Sequence, residues 1–233
     1  MTTDTTFRHP VLPGTGVASA RGVRGDGRRA HRRRAVVAAA RDVFVVNGYH
    51  GARMEEISAR AGISKPVLYD HFANKLDLYL AVLQQYLDRM VDGVRTAVGA
   101  ETTPRSRVRV AVAVYFDFVD EDPGGHVLVF ESPVPSEPSI EWRVRSALRA
   151  CADLVAAELR AVGVAAAPAD MYAWSLVGAS HLAARQWLDA GRPIAKHDAV
   201  DVTVALCWNG LSGVRPQTGP ERLRLSEELD PHN

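Results

Sequence analysis

Cysteine is nearly absent from the 233 residues: Cys151 and Cys207 are the only two, and both fall inside apolar helical patterns. That argues against a disulfide framework, and two reduced, buried thiols in a cytoplasmic protein are the expectation. Aromatic residues make up only 7% of the chain, and turn-bounded runs of β-branched residues are missing, which argues against a sheet-based fold. No apolar run approaches the ~20 residues needed to span a bilayer, so no membrane segment is expected. No apolar stretch follows the first charges as it does in a secretory leader. Catalytic signatures are missing too. There is no Gly-x-Ser-x-Gly elbow, no phosphate-cradling glycine loop and no His/Cys/Asp cluster with metal-ligand spacing, so no catalytic residue, metal or cofactor is assigned. Ser180 and His181 are adjacent and would point about 100° apart on a helix, which prevents pairing. His126 with Glu131 is the acid–base pair on which an alternative reading, a helical enzyme, would have to rest.

What the chain does have is Ala, Val and Leu in helical rhythm, within 47% hydrophobic and 24% charged residues. Its net charge of +1 conceals an asymmetry. Residues 1–34 carry eight arginines against Asp4 and Asp26, a net of +6, whereas residues 81–233 hold 15 basic against 20 acidic groups. A basic end on a mildly acidic body is the layout of a polyanion contact at one end, the other reading being a solvated leader.

Residues 1–28 are rich in Thr, Gly, Pro and Arg without apolar periodicity and read as a disordered basic arm. From Arg29 a helical stripe begins (Val36, Val37, Ala40, Val43, Phe44, Val46), and Asn47-Gly48 stops it. Met54 to Arg60 reads as a second helix, and Ala61-Gly62-Ile63-Ser64 as a turn. With Ser64 at the N-cap, Pro66 opens a third helix, Lys65 to His71, rather than breaking one. Asn74 caps a long fourth helix with Leu76, Leu80, Leu83 and Leu87 as its stripe. Helical patterns then recur at 104–121, 124–131, 139–162, 168–190 and 197–213. The expectation is an all-α chain: a basic arm (1–28), a three-helix head (29–75), a helical body (76–214) and a flexible tail (215–233).

Two short helices joined by a glycine-containing turn form a helix-turn-helix, the first bracing against DNA backbone and the second standing in a major groove. Leu68 and Phe72, four residues apart, are assigned to the core. Lys65, Pro66, Val67 and His71 are candidates for base contact, and Tyr69, Lys65 and Lys75 for phosphate. The helix N-termini at Ser64 and Asn74 add backbone donors. The N-terminal arginines are expected to enter an adjacent minor groove.

The stretch "RRRAVVAAARDVFVVNGYHGARMEEISARAGISKPVLYDHFANKLDLYLAVL", residues 32–83, resembles the DNA-binding head of the tetracycline-repressor (TetR) family. The resemblance rests on Phe44 and Gly48-Tyr49, Ile57, the Ala61-Gly62-Ile63-Ser64 turn, and Leu68-Tyr69-x-His71-Phe72-x-x-Lys75. It implies an all-helical homodimer that binds double-stranded operator DNA and a small-molecule effector. It also implies phosphate contacts for Tyr69 and Lys75, and for Arg53, which stands where many members have Thr or Ser. In the body, "VYFDFVDEDPGGHVLVFES", "HLAARQWLDAGRPI" and "ALCWNGLSGV" resemble the mycobacterial and actinobacterial regulators of fatty-acid synthesis within that family. This second resemblance implies a long-chain acyl-CoA effector and control of lipid-metabolism genes. The alternative is a TetR-type repressor of an efflux or catabolic operon with a different small apolar ligand.

Small residues on 168–190 (Ala173, Ser175, Gly178, Ala179, Ala183, Ala184) and the spacing of Val200, Val204, Cys207 and Leu211 suit close helix packing, within the chain or between two copies. The family resemblance favours two copies. Leu87, Phe116, Val119, Phe130, Cys151, Trp174, Val177 and His181 are the candidates for an apolar effector pocket, the other reading being plain core. Arg105, Arg107 and Arg109 are either phosphate-attracting groups or a solvated helix face.

Overall fold

A computed structural model of the chain describes residues 20–130 and 137–212. Among these residues there are nine α-helices and no strand. The head comprises α1 (Ala20–Gly51), α2 (Met54–Arg60) and α3 (Lys65–His71). The body comprises α4 (Lys75–Ala100), α5 (Pro104–Glu121), α6 (Pro123–Phe130), α7 (Pro138–Ala161), α8 (Ala166–Asp189) and α9 (Lys196–Ser212). The tail expected at 215–233 and the first 19 residues of the expected arm lie outside the described residues.

Local chemistry sets the boundaries. Gly48 takes φ 65° and breaks α1 where Asn47-Gly48 predicts a stop, and one further turn reaches Gly51. The Asn74 side chain accepts the Asp77 N–H at 2.8 Å, capping α4. Thr103 and Ser106 close a capping box on α5, with Pro104 in the first turn, where its missing N–H costs nothing. One expectation is corrected: residues 20–28 are not a disordered arm but continue α1. Arg is a good helix former, and lengthening an existing helix adds bonds without a new nucleation cost, which works against the penalty of Gly22, Gly25 and Gly27.

The fourth helix is the axis of the molecule, packing against α1, α5, α6 and α7. Its buried face is Leu78, Tyr79, Val82, Leu83, Tyr86, Leu87 and Met90, whereas Leu76 and Leu80 of the predicted stripe are only partly covered. Two tyrosines turn inward because their hydroxyls find partners. Tyr79 donates to the Leu128 carbonyl at 2.9 Å, and Tyr86 to Asp122 at 2.9 Å. Fully burying a side chain such as Leu83 contributes roughly 1.5–3 kcal/mol.

The short α6 seats head on body, since it touches α1, α4 and α5. Its start is almost atom-tight. A Cβ on Gly124 would lie 2.4 Å from Val45, and one on Gly125 would lie 2.2 Å from the Tyr86 ring.

Candidate nucleic-acid interface and effector site

The turn between α2 and α3 closes as a Schellman motif. The Gly62 N–H donates to the Ala59 carbonyl at 3.2 Å, and the Ile63 N–H to the Ser58 carbonyl at 3.1 Å. Gly62 occupies φ 65°, which a side chain would strain. Ile63 packs against the core, and Leu68 and Phe72 bury the inner face of α3. Their burial fixes which residues α3 turns outward. Ser64, Lys65, Pro66 and the Tyr69 ring are exposed, while Val67 and His71 are partly covered.

The candidate DNA contacts differ in how free they are. Ser64 sits at the N-cap position with an extended backbone, but its hydroxyl makes no cap bond. Lys65 pairs with Glu55 across the turn, and that pair raises the Lys65 pKa and lowers that of Glu55. Both groups are solvated, so the pair is weak. Arg53 is exposed at the N-cap of α2 and makes no cap bond. Lys75 reaches inward: its ammonium donates to the Ala52 carbonyl at 3.1 Å and to that of His50 at 3.3 Å, 4.7 Å above the Tyr49 ring. It joins the start of α4 to the end of α1. Beside α3, the exposed side chains of Arg28, Arg29 and Arg32 line a cleft with Val67, Asp70 and His71.

In the body, the structure brings together only part of the predicted pocket. Phe130 and His181 are in contact, with ring centroids 4.0 Å apart, and His126 stands 5.5 Å from Phe130. The His181 pKa falls to about 4, first through burial and then through His126 and Arg185, so the imidazole is neutral at physiological pH. Phe116 packs on Trp187 instead, at 5.7 Å. Leu87, Val119, Cys151 and Val177 are core, and Trp174 is on the outer surface. His126 is buried, but Glu131 lies outside the described residues. No cluster of three or more His, Cys, Asp or Glu among the described residues can hold a metal ion.

An apolar cavity of about 170 Å³ lies elsewhere, among α4, α5, α7, α8 and α9. Val98, Val108, Val155, Leu159, Leu176 and Trp208 line it, and none of the eight predicted pocket residues does. Arg107 and Glu158, an ion pair, also line it. Periodicity finds apolar faces; it does not tell which of them fail to close.

A part-buried polar knot ties head to body. Arg41 of α1 donates to the Tyr86 hydroxyl at 2.7 Å and to Asp122 at 2.6 Å. Asp122 also accepts the Gly125 N–H at 2.9 Å, capping α6. Burial and the Asp122 carboxylate push the Tyr86 pKa up to about 12.

Residues 36–82 match the family model for bacterial regulatory proteins of the tetR family, and residues 104–210 match a tetracyclin repressor-like C-terminal domain. The HTH-type transcriptional activator FasR of Mycolicibacterium smegmatis is 48% identical over 187 residues, covering 80% of this chain and 85% of that protein. The chain belongs to the TetR family. It is a TetR-type, DNA-binding transcriptional regulator, and α2 and α3 are its helix-turn-helix. A TetR-like regulator from Rhodococcus shares the fold at a TM-score of 0.62 and 28% identity, covering 78% of this chain and 97% of its own. FadR of Bacillus subtilis, solved in complex with stearoyl-CoA, shares the fold at a TM-score of 0.62 and 14% identity over 78% of this chain and 98% of its own. No helix among the described residues is long and apolar enough to cross a membrane.

Proposed function

We propose that the protein is a cytoplasmic homodimer that controls lipid-metabolism genes without catalytic turnover, and that a long-chain acyl-CoA in its body sets its affinity for operator DNA. The observation that carries the effector reading is the apolar cavity with the Arg107 guanidinium among its walls. A hydrocarbon slot beside a cation suits a ligand with an apolar body and an anionic head. Arg107 is held by Glu158, so an anion would have to replace that carboxylate. The likeness to FasR and the stearoyl-CoA complex of FadR support the same ligand class.

In this reading α3 enters the major groove, with Lys65, Pro66, Val67 and His71 toward base edges and Tyr69, Ser64 and Arg53 toward phosphates. Half-sites one helical turn apart, about 34–36 Å, suit two heads related by a two-fold axis. The effector acts through its differential affinity for two head spacings. Tyr69→Phe removes a hydroxyl alone, and one lost hydrogen bond of ~1 kcal/mol should weaken binding about five-fold per head on every duplex alike. A loss confined to one base position would reassign Tyr69 from phosphate to base.

The deciding experiment is fluorescence anisotropy on the gene's own upstream DNA, titrated with long-chain acyl-CoA. Release at low micromolar acyl-CoA but not with free CoA is expected, and Arg107→Ala should raise the concentration needed. Specific binding indifferent to acyl-CoA would discard this effector and favour a regulator of an efflux or catabolic operon answering to another apolar ligand.

A further inference from the structure

The first helix starts long before the head needs it. Its first core residue is Val36, yet the helix begins at Ala20, and every residue from 27 to 35 is exposed. Residues 28–34 hold five arginines and His31 with no acidic residue among them. Like charges one turn apart destabilise a helix, so this stretch is poorly explained by folding alone. Arg33 lies 4.6 Å over the Phe72 ring and holds α1 beside α3. Arg28, Arg29 and Arg32 engage no partner among the described residues. Spaced i, i+1 and i+4, they share one side of the helix. They form one wall of an open cleft of about 610 Å³, whose other wall is Val67, Asp70 and His71 of α3.

We propose that this cleft straddles one strand of the operator: α3 stands in the major groove, the sugar–phosphate backbone passes between α3 and α1, and Arg28, Arg29 and Arg32 take its phosphates. The inference rests on the helix-turn-helix reading and adds a second DNA-binding wall to it. Three guanidiniums without a partner among the described residues, facing the flank of a recognition helix, complement a phosphodiester chain in charge and in the fork geometry that phosphates accept. Asp70, the one carboxylate in the cleft, is on the α3 wall. There a cytosine amine is a compatible neighbour and a phosphate is not, which leaves the phosphates to α1. The same geometry replaces the minor-groove role expected for these arginines. An α-helix is about 10–12 Å across with its side chains, and the minor groove is only about 6 Å wide.

The test compares the full-length protein with the triple variant Arg28→Ala/Arg29→Ala/Arg32→Ala on a random-sequence duplex and on a duplex selected by the wild type from a random pool. Affinity is measured from about 50 to about 200 mM salt. If each arginine neutralises one phosphate, the salt slope falls by about 2.7 per head, so the wild type's advantage shrinks about 40-fold per head across that range. The loss should be equal on both duplexes, and the triple Arg→Lys variant should restore the slope. An unchanged slope in the alanine variant would overturn the proposal, as would a loss confined to A·T-rich flanks, which marks minor-groove insertion. The helix-turn-helix reading would fail differently, by the wild type selecting no sequence at all. Circular dichroism on the alanine variant confirms that loss of slope is not loss of fold.

Discussion

Gly125→Ala is expected to lower the melting temperature by about 4–12 °C. That corresponds to about 2–3 kcal/mol of overpacking in a chain of this size. The new methyl would sit 2.2 Å from one Tyr86 ring carbon and within 2.8 Å of two more. A flexible neighbour would swing aside, but Tyr86 is 1% exposed and its hydroxyl is held by both Arg41 and Asp122. Moving the ring takes the Tyr86 hydroxyl from both Arg41 and the part-buried Asp122 carboxylate, and retreat of α6 opens a gap against α1 and α4. Gly124→Ala makes a useful contrast. Its methyl would meet Val45 at 2.4 Å, but Val45 is 41% exposed and has room to rotate, so a shift of only a few degrees is expected. Thermal melts of both variants check the order. Equal, small shifts would mean that α6 does not seat tightly on Tyr86. Adding Tyr86→Leu to Gly125→Ala should recover part of the loss if the ring is the obstacle. Because α6 bridges head and body, the same substitution should also loosen the link between effector and operator affinity.

Features fixed by local chemistry were legible in the sequence. Asn47-Gly48, Gly62, Ser64-Lys65-Pro66 and Asn74 each mark a boundary through a backbone requirement or a cap, and α2 and α3 start and stop where those signals put them. The inward pair Leu68 and Phe72 followed from spacing, and with it the outward set on α3. Features that depend on distant partners were not legible. Arg41, Tyr86 and Asp122 are 45 and 81 residues apart along the chain, and nothing near any of them announces the others. The α4 stripe read from leucine spacing includes Leu76 and Leu80 and lacks Tyr79 and Tyr86, whose hydroxyls find their partners on distant residues. Lys75 carries the charge of a phosphate contact, yet the carbonyls at the end of α1 hold it. Phe116 and Trp174 fit one apolar list, yet one is core and the other is on the surface. On α9, periodicity found Val200 and Val204, which are buried within the chain, and missed the opposite stripe.

That opposite stripe leads to the second large effect: Leu182→Asp combined with Leu206→Asp is expected to convert the proposed dimer to a folded monomer. Met171, Ser175, Gly178 and Leu182 recur at heptad-like spacing on the outer side of α8. Leu182 is 64% exposed, and Val202 and Leu206 of α9 are 66% and 73% exposed. An added Cβ at Gly178 meets nothing within 4 Å in the single chain, so close packing inside the chain does not require a glycine there. A helix crossing from a second copy would use that space. In a two-fold interface each aspartate appears twice, and burying an unpaired carboxylate costs several kcal/mol per ion, so the dimer constant should weaken by orders of magnitude. Because the two leucines are exposed within one chain, folding itself should change by no more than about 0.5 kcal/mol per site. Light scattering should then report half the wild-type mass with an unchanged helical spectrum. Operator binding should fall toward that of one head, while weak binding to random duplex persists. A variant that stays dimeric at micromolar concentration would place the interface on another face. A variant that unfolds would show that these side chains support the chain and not its partner.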